Sequence, residues 1–357
     1  VNVRAEPQAL SAAAPGEVTV RAFAASDAAR WDAYVQAHPD ATFFHRAGWQ
    51  RVIEDAFGHR THFLLAERGG KIVGVLPLAE IRSRLFGHSL GSLPFCAYGG
   101  IVADHDAAYR ALDGAAQALA QELNVGALEY RNRVAQHARW PAKDLYVTFR
   151  QAIEPEIEAN MNAIPRKQRA MVRKGIKAGL VGEIDADTTR FFQAYSASVH
   201  RLGTPVFSRR YFRLLKDTFG EDCEVLTITL GGKLIASVLS FYFRDEVLPY
   251  YGGGVAEARG VAGNDFMYWD LMRRACERGL KVFDFGRSKR GTGSFDFKKN
   301  WGFEPTPLYY EYFLVKDREV PEINPLNPKY RLFIQAWKKM PLPLANAIGP
   351  HIVKNLG

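Results

Sequence analysis

The chain states one pattern twice. Residues 63–76, FLLAERGGKIVGVL, read as a strand, a Gly-Gly-Lys turn and a second strand, and residues 225–238, VLTITLGGKLIASV, repeat it with the turn at 231–233. Each copy then reaches a Leu-Pro-aromatic stretch running into glycines, LPFCAYGGI at 93–101 and LPYYGGGV at 248–255. A helical segment follows, and after it a short strand, ALEYRN at 127–132 and VFDFGR at 282–287. The hairpins are offset by 162 residues (225 against 63) and the last strands by 155 (282 against 127). Four elements in one order at a nearly constant offset confine the fold to two copies of one mixed α/β unit. They also make Glu129 and Asp284 equivalent.

Composition agrees with that division. A chain of 357 residues is long for a single core, and 47% hydrophobic with 24% charged residues supplies two. No apolar run approaches the roughly 18 residues of a membrane span. The opening VNVRAEPQALSAAAPGE has no apolar stretch after its arginine, which argues against a secretory signal and for a short mobile tail over 1–17. Cys96, Cys223 and Cys276 fit neither a metal spacing nor an even disulfide set, and read as reduced cytoplasmic thiols. The net charge of +9 is localised: Arg166, Lys167, Arg169, Arg173, Lys174 and Lys177 stand in 165–180 with no acid among them, and a second excess begins at Lys329.

The first unit spans 18–150, with helices expected over Ala28–Ala37 and Trp49–Ala56 before the hairpin. Its helix at 107–123 packs Leu112, Ala116, Leu119 and Leu123 on the sheet. A connector, 151–183, reads as two helical pieces broken at Pro165, with Gly179 as a stop. Arg169, Arg173 and Lys177 recur every four residues on one face of its second piece. The second unit, 184–316, has helices over Thr189–Val199 and Ser208–Thr218, then the repeated core with a helix at 264–279. The tail is 317–357. Hairpin, third strand, helix and a fourth strand beside the third is the order of an N-acyltransferase core of the GNAT type. There the central strands splay and expose backbone N–H groups to an acyl carbonyl. The glycines permit that close approach.

Polar, aromatic and glycine residues concentrate in FDFGRSKRGTGSFDFKKNWGFEP, 283–305. Asp284 ends a buried strand and Arg287 follows it, while Lys298 and Lys299 stand beside the aromatic anchors Phe297 and Trp301. Asp284, Arg287 and Lys298 are the candidate catalytic residues, the two cations binding phosphate or stabilising the charge of a tetrahedral intermediate. The competing account is a satisfied Asp284–cation pair and a plain turn. Tyr250 and Tyr251 precede the glycines 252–254 and are placed to orient an acceptor; Tyr98 holds the corresponding position in the first copy, which lacks an FKKNWG segment and supplies a wall. His200 is a base or, more simply, a core residue.

These residues resemble the FemAB/FemX peptidyltransferase superfamily, including its CelD-like or BioF2-like acetyltransferases and the FemAB-related proteins of PEP-CTERM/exosortase systems. The resemblance covers about residues 20–316. It rests on Trp49 after Phe43-Phe44, GGKIVGVLPL at 69–78, SLPFCAYGG at 92–100, RKQRAMVRKGIKAGL at 166–180, and DFGRS with FKKNWG within 284–302. It implies tandem GNAT-like acyl-CoA N-acyltransferase domains with a basic helical connector. It also implies acyl or aminoacyl transfer to an amine, on a nucleotide- or lipid-linked envelope or exopolysaccharide precursor, by a cytoplasmic enzyme at the inner face of the membrane. No long helical hairpin is inserted in the second unit, and the coenzyme A pyrophosphate loop is only approximated by Arg259-Gly-Val-Ala-Gly-Asn264. The co-substrate is therefore acyl-CoA or aminoacyl-tRNA, with no tightly bound cofactor and no metal. Asn264 is the candidate on the pyrophosphate loop. Arg169 and Arg173 are the candidates for tRNA or nucleotide phosphates, against a plain solvated face. The tail mixes Leu332, Phe333, Trp337 and Ile348 with Arg331, Lys338 and Lys339, and either lies on an anionic membrane or packs back. The competing class is a non-catalytic GNAT-fold module holding a polyanion, RNA or a nucleotide-linked sugar.

Overall fold

The computed structural model describes residues 16–83, 87–320 and 331–356. Most of the tail expected over 1–17, and part of the one expected over 317–357, lie outside the described residues.

The first unit opens with β1 (Thr19–Ala22), α1 (Ala28–Ala37), α2 (Gly48–Phe57) and the short β2 (Arg60–Thr61). The hairpin β3 (Leu64–Arg68) and β4 (Lys71–Leu76) turns at Gly69-Gly70, and its repeat turns at Gly231-Gly232. All four glycines have φ between +55° and +76°. Two successive left-handed residues make the tight turn whose twist matches a right-handed strand pair, which is why both copies carry glycine twice. Pro77 has no N–H for the ladder, so the strand breaks and resumes as β5 (Ala79–Ser83), which pairs with β6 (Gly87–Gly91). After β7 (Val102–Ala103) come α3 (Asp106–Glu122) and β8 (Ala127–Asn132), which runs parallel to β6.

Next are β9 (Ala142–Lys143) and β10 (Tyr146–Ala152), then the connector helices α4 (Ile157–Ala163) and α5 (Arg166–Lys177). Pro165 is the N-cap of α5, one residue before the first-turn position its chemistry favours. The second unit follows as β11 (Val181–Asp185), α6 (Thr189–Leu202), α7 (Arg209–Phe219), the hairpin β12 (Cys223–Leu230) and β13 (Lys233–Phe243), β14 (Glu246–Gly254), α8 (Gly263–Glu277) and β15 (Val282–Lys289). The chain continues through α9 (Gly293–Asn300), β16 (Pro305–Pro307), β17 (Tyr309–Leu314), α10 (Arg331–Lys339) and α11 (Leu342–Val353).

The two units exchange strands. β10 lies antiparallel to β15, and β17 lies antiparallel to β8. Sheet membership therefore does not follow boundaries at 150 and 316: residues 146–152 complete the seven-stranded sheet of the second unit, and 309–314 complete the six-stranded sheet of the first. The two parallel strand edges must be covered from outside, because each would otherwise leave a row of unpaired backbone groups. Local pattern in β10 and β17 does not say which copy of that edge each covers.

The units are also fused through a common aromatic core. Phe43 stacks on Phe241 with centroids 4.3 Å apart, and Phe57 meets Tyr211 at 5.0 Å. That core gathers residues of α1 and α2 with residues of α6, α7 and β13, so the arrangement is one packed body rather than two domains on a linker.

Candidate active site

The two copies differ in the segment that follows the hairpin. In the second unit LPYYGGGV lies within the continuous strand β14 and the residue after it; in the first, 92–101 loops out between β6 and β7. The parallel pairing of β14 with β15 covers only Glu246–Val282 and Val247–Phe283, after which the strands part. The looped segment reaches across to this gap. Its three successive carbonyls are each held by a side chain from another strand: Tyr250 of β14 donates to Phe95 O at 3.0 Å, Arg131 of β8 to Cys96 O at 2.8 Å, and Tyr310 of β17 to Ala97 O at 2.7 Å. Leu93 and Phe95 hold φ of +57° and +70°, left-handed values that cost a residue with a side chain about 1–2 kcal/mol. The surrounding hydrogen bonds fix that strain in place, as at many functional loops.

Along β15 the chain is bulged. Thr148 of β10 faces Arg287 and Arg150 faces Asp284, so two residues of β15 oppose one of β10, and Gly286 takes φ +67° there. Two side chains build the bulge. The Asp284 carboxylate accepts from Gly286 N–H at 2.7 Å, and the Lys298 ammonium of α9 donates to Gly286 O at 3.0 Å and Arg287 O at 3.1 Å. The bulge aims Arg287 into a cavity of about 670 Å³, where its guanidinium donates to Tyr310 Oη at 2.9 Å and lies 4.7 Å from the Tyr146 ring centre. Lys289, Lys298, Arg131 and Lys143 line the same cavity, with Glu129 and Asp317 as its acids.

Burial sets the electrostatics. Asp284 is 1% exposed. Its partners are the hydroxyls of Tyr98, at 2.9 and 3.1 Å, and Thr148, besides Gly286 N–H; none is a cation. Burial, with Glu246 adding, pushes its carboxyl up to about 6, and the Gly286 and Tyr98 hydrogen bonds only partly oppose this. Burial pulls the Lys298 amine down to about 7, the Asp284 charge resisting and the Arg287 charge adding. Lys289 is drawn down to about 8 by burial and then by Arg287. A guanidinium does not titrate in this range, so Arg287 is the fixed cation and Lys298 the exchangeable one.

Residues 162–299 match the family model of the acetyltransferase (GNAT) domain. Among solved structures, FemX superposes with a TM-score of 0.63 at 15% identity, over 89% of this chain and 100% of that one. The fold is a tandem GNAT fold. The C-terminal domain of a putative lysylphosphatidylglycerol synthetase from Agrobacterium fabrum superposes at 0.56 and 14% identity, over 81% of this chain and 92% of that one. A tandem GNAT protein from the clavulanic acid biosynthesis pathway gives 0.52 and 14%, over 83% of this chain and 98% of that one. A search of curated proteins gives no sequence match.

Within this GNAT frame the residues expected from sequence divide into three groups. Arg287, Lys298, Tyr250 and Tyr251 line the cavity. Asp284 and Tyr98 are bonded to each other but lie behind the lining, so Tyr98 acts across the unit boundary rather than as a wall. The remaining five stand apart from it. Trp301 is a core residue whose indole N–H donates to Asp265 at 3.2 Å, and Lys299 is exposed on α9. Asn264 is exposed in the first turn of α8. Arg169 donates to the Asn162 side chain at 2.8 Å, and Arg173 points to solvent from α5. Sequence reading missed Arg131, Lys143, Tyr146, Lys289 and Tyr310. One signal was present: Arg131 follows Glu129 by two residues and Arg287 follows Asp284 by three, the difference being the bulge residue Gly286. Tyr146 and Tyr310 sit on the exchanged strands, where no local signal existed.

Proposed function

We propose that the protein is an N-acyltransferase that forms an amide on an anionic cell-envelope or exopolysaccharide precursor, with acyl-CoA as donor. The observation that carries this reading is the cavity at the β14–β15 gap, which joins an unpaired backbone edge to a fixed cation, Arg287, and a lysine whose pKa lies near neutrality. The acceptor amine attacks the acyl carbonyl carbon, whose oxygen lies against the open edge of β14. As the C–N bond forms, the amine proton passes to the neutral Lys298 amine. The C–S bond then breaks and the thiolate leaves, taking a proton. A base with pKa near the working pH suits both halves of that transfer. Arg287 and Lys289 hold the acceptor's negative charge, and Asp284 is a positioning residue that maintains the bulge. The FemX likeness and the lysylphosphatidylglycerol synthetase likeness support an envelope precursor as acceptor. Exposed Leu332 and Phe333 on α10, with Lys338 and Lys339, support work at the cytoplasmic face of a membrane. Among the described residues no helix is long and apolar enough to cross one.

The test is single-turnover transfer from acyl-CoA to an amine acceptor. Lys298→Ala is expected to slow it about one hundredfold, with thermal melts to check that the variant folds. The wild-type rate is expected to rise with pH through about 7 as Lys298 becomes neutral. A rate that falls through that pH makes the charged lysine the active form and removes its role as base.

A second reading, aminoacyl-tRNA as donor, is favoured by α5, where Arg166, Lys167, Arg173, Lys174 and Lys177 are exposed and make no ion pair among the described residues. Charge reversal at Arg169 and Arg173 then weakens RNA binding, and wild-type affinity falls steeply with salt. Binding indifferent to both leaves α5 a solvated face.

A further inference from the structure

The cavity has two chemically different ends. The cationic end is described above. At the other, Phe95, Tyr195, Phe207, Tyr251, Val353 and Leu356 form the wall. Their rings are contiguous: Phe95 lies 5.9 Å from Phe207, Phe207 5.9 Å from Tyr251, and Tyr251 5.6 Å from Tyr195, between centroids. Most polar atoms of this wall are occupied, the Tyr195 hydroxyl being without a hydrogen-bond partner among the described residues. Tyr251 Oη is bonded to Tyr211 Oη at 2.9 Å, neighbouring Tyr250 Oη to Phe95 O, and the Asn355 amide to His351 O at 3.0 Å. A sugar or peptide entering here would lose its water and find few partners for the hydrogen bonds it gave up. A hydrocarbon would lose nothing.

The end of this compartment is α11. The helix and the residue after it touch both units: His59 of the first approaches Lys354 O at 2.6 Å, Asn346 donates to Ser196 of α6 at 3.4 Å, and Gly349 sits so close to Val206 that a Cβ there would meet its backbone nitrogen at 3.0 Å. Val353 and Leu356 are thereby fixed as its far wall. The near side is Tyr251 and Gly252 of β14, at the open strand edge, so a chain attached to a carbonyl held there runs directly into the apolar compartment.

We infer that this compartment takes the hydrocarbon chain of the acyl donor, and that Val353 and Leu356 set the longest chain accepted. The inference rests on the acyl-CoA reading above. Acetyl-, octanoyl- and palmitoyl-CoA titrated calorimetrically into the full chain test it. Affinity is expected to rise about threefold to fourfold per buried methylene until the far wall is met. Val353→Trp is expected to end that rise at a shorter chain and Val353→Ala at a longer one, with thermal melts to check folding; if the Trp variant does not fold, the Ala variant decides. Equal affinity for the three acyl-CoAs, or a chain-length limit unmoved in a folded variant, overturns the inference and leaves the transferase reading standing. Failure of all three to bind, acetyl-CoA included, overturns the acyl-CoA reading and the inference with it.

Discussion

Glu129 and Asp284 occupy the same position in two copies of one unit and have opposite surroundings. Glu129 pairs with the buried Arg131 guanidinium at 2.6 Å and accepts from Tyr312. Burial pushes its carboxyl up, but Arg131 and then Tyr312 outweigh it and the net shift is downward. Asp284 has only neutral donors and is pushed up to about 6. The extra residue Gly286 makes the difference: it turns Arg287 off the carboxylate and into the cavity, where Arg131 has stayed on its own carboxylate. Duplication supplied two equivalent sites, and one inserted residue separated a satisfied ion pair from a cation free to meet a ligand.

Paired substitutions give the largest test of this contrast. Glu129→Gln leaves a buried guanidinium with only a carbonyl and is expected to cost about 3 kcal/mol in chemical denaturation. Asp284→Asn, facing neutral donors, is expected to cost at most about 1 kcal/mol but to slow transfer about tenfold by loosening the bulge. Equal destabilisation by the two would erase the distinction. Next in size, Gly286→Ala forces a side chain into the left-handed region and is expected to cost about 1–2 kcal/mol, with weakened binding of an anionic acceptor as Arg287 turns; unchanged binding would remove the bulge from the account. The smallest effect belongs to the first unit's exchanged strand. Glu311 of β17 accepts from the backbone of Gln136 and His137 at 2.9 Å, and the His137 ring bridges it to Asp113. Burial opposes protonation of that ring, but Asp113 and Glu311 outweigh it and raise its pKa to about 9. A raised histidine stabilises the fold fully below pH 6.5 and loses that contribution as pH rises through about 9. Screening limits the loss to about 1 kcal/mol. His137→Gln should flatten stability between those pH values, and persistence of the slope would assign it elsewhere.

Much of the frame was legible because it is local. Hydrophobic spacing defined α3 and α8, paired glycines fixed both hairpin turns, and the order of elements gave the tandem GNAT arrangement with its splayed strands. Within the site, Arg287, Lys298, Tyr250 and Tyr251 were legible because a cationic, glycine-rich segment and a tyrosine pair beside glycines mark a cavity rim. Lys299 and Trp301 were drawn in by proximity along the chain, although α9 turns Lys299 outward and Trp301 into the core, and Asn264 was drawn in by a loop pattern, although it stands exposed and apart from the cavity.

The sequence by itself determined that one unit is present twice and that the second copy carries the denser set of polar groups. Tertiary structure alone decided that β10 and β17 trade places, that residues 92–101 leave the sheet to bring Tyr98 to Asp284, and that α11 closes the cavity. The reason is physical. Periodicity and turn chemistry act over a few residues, whereas the covering of a parallel strand edge and the burial of an aromatic wall are settled by whichever segment reaches them, here from more than a hundred residues away, as with Tyr98 and Asp284 at a separation of 186.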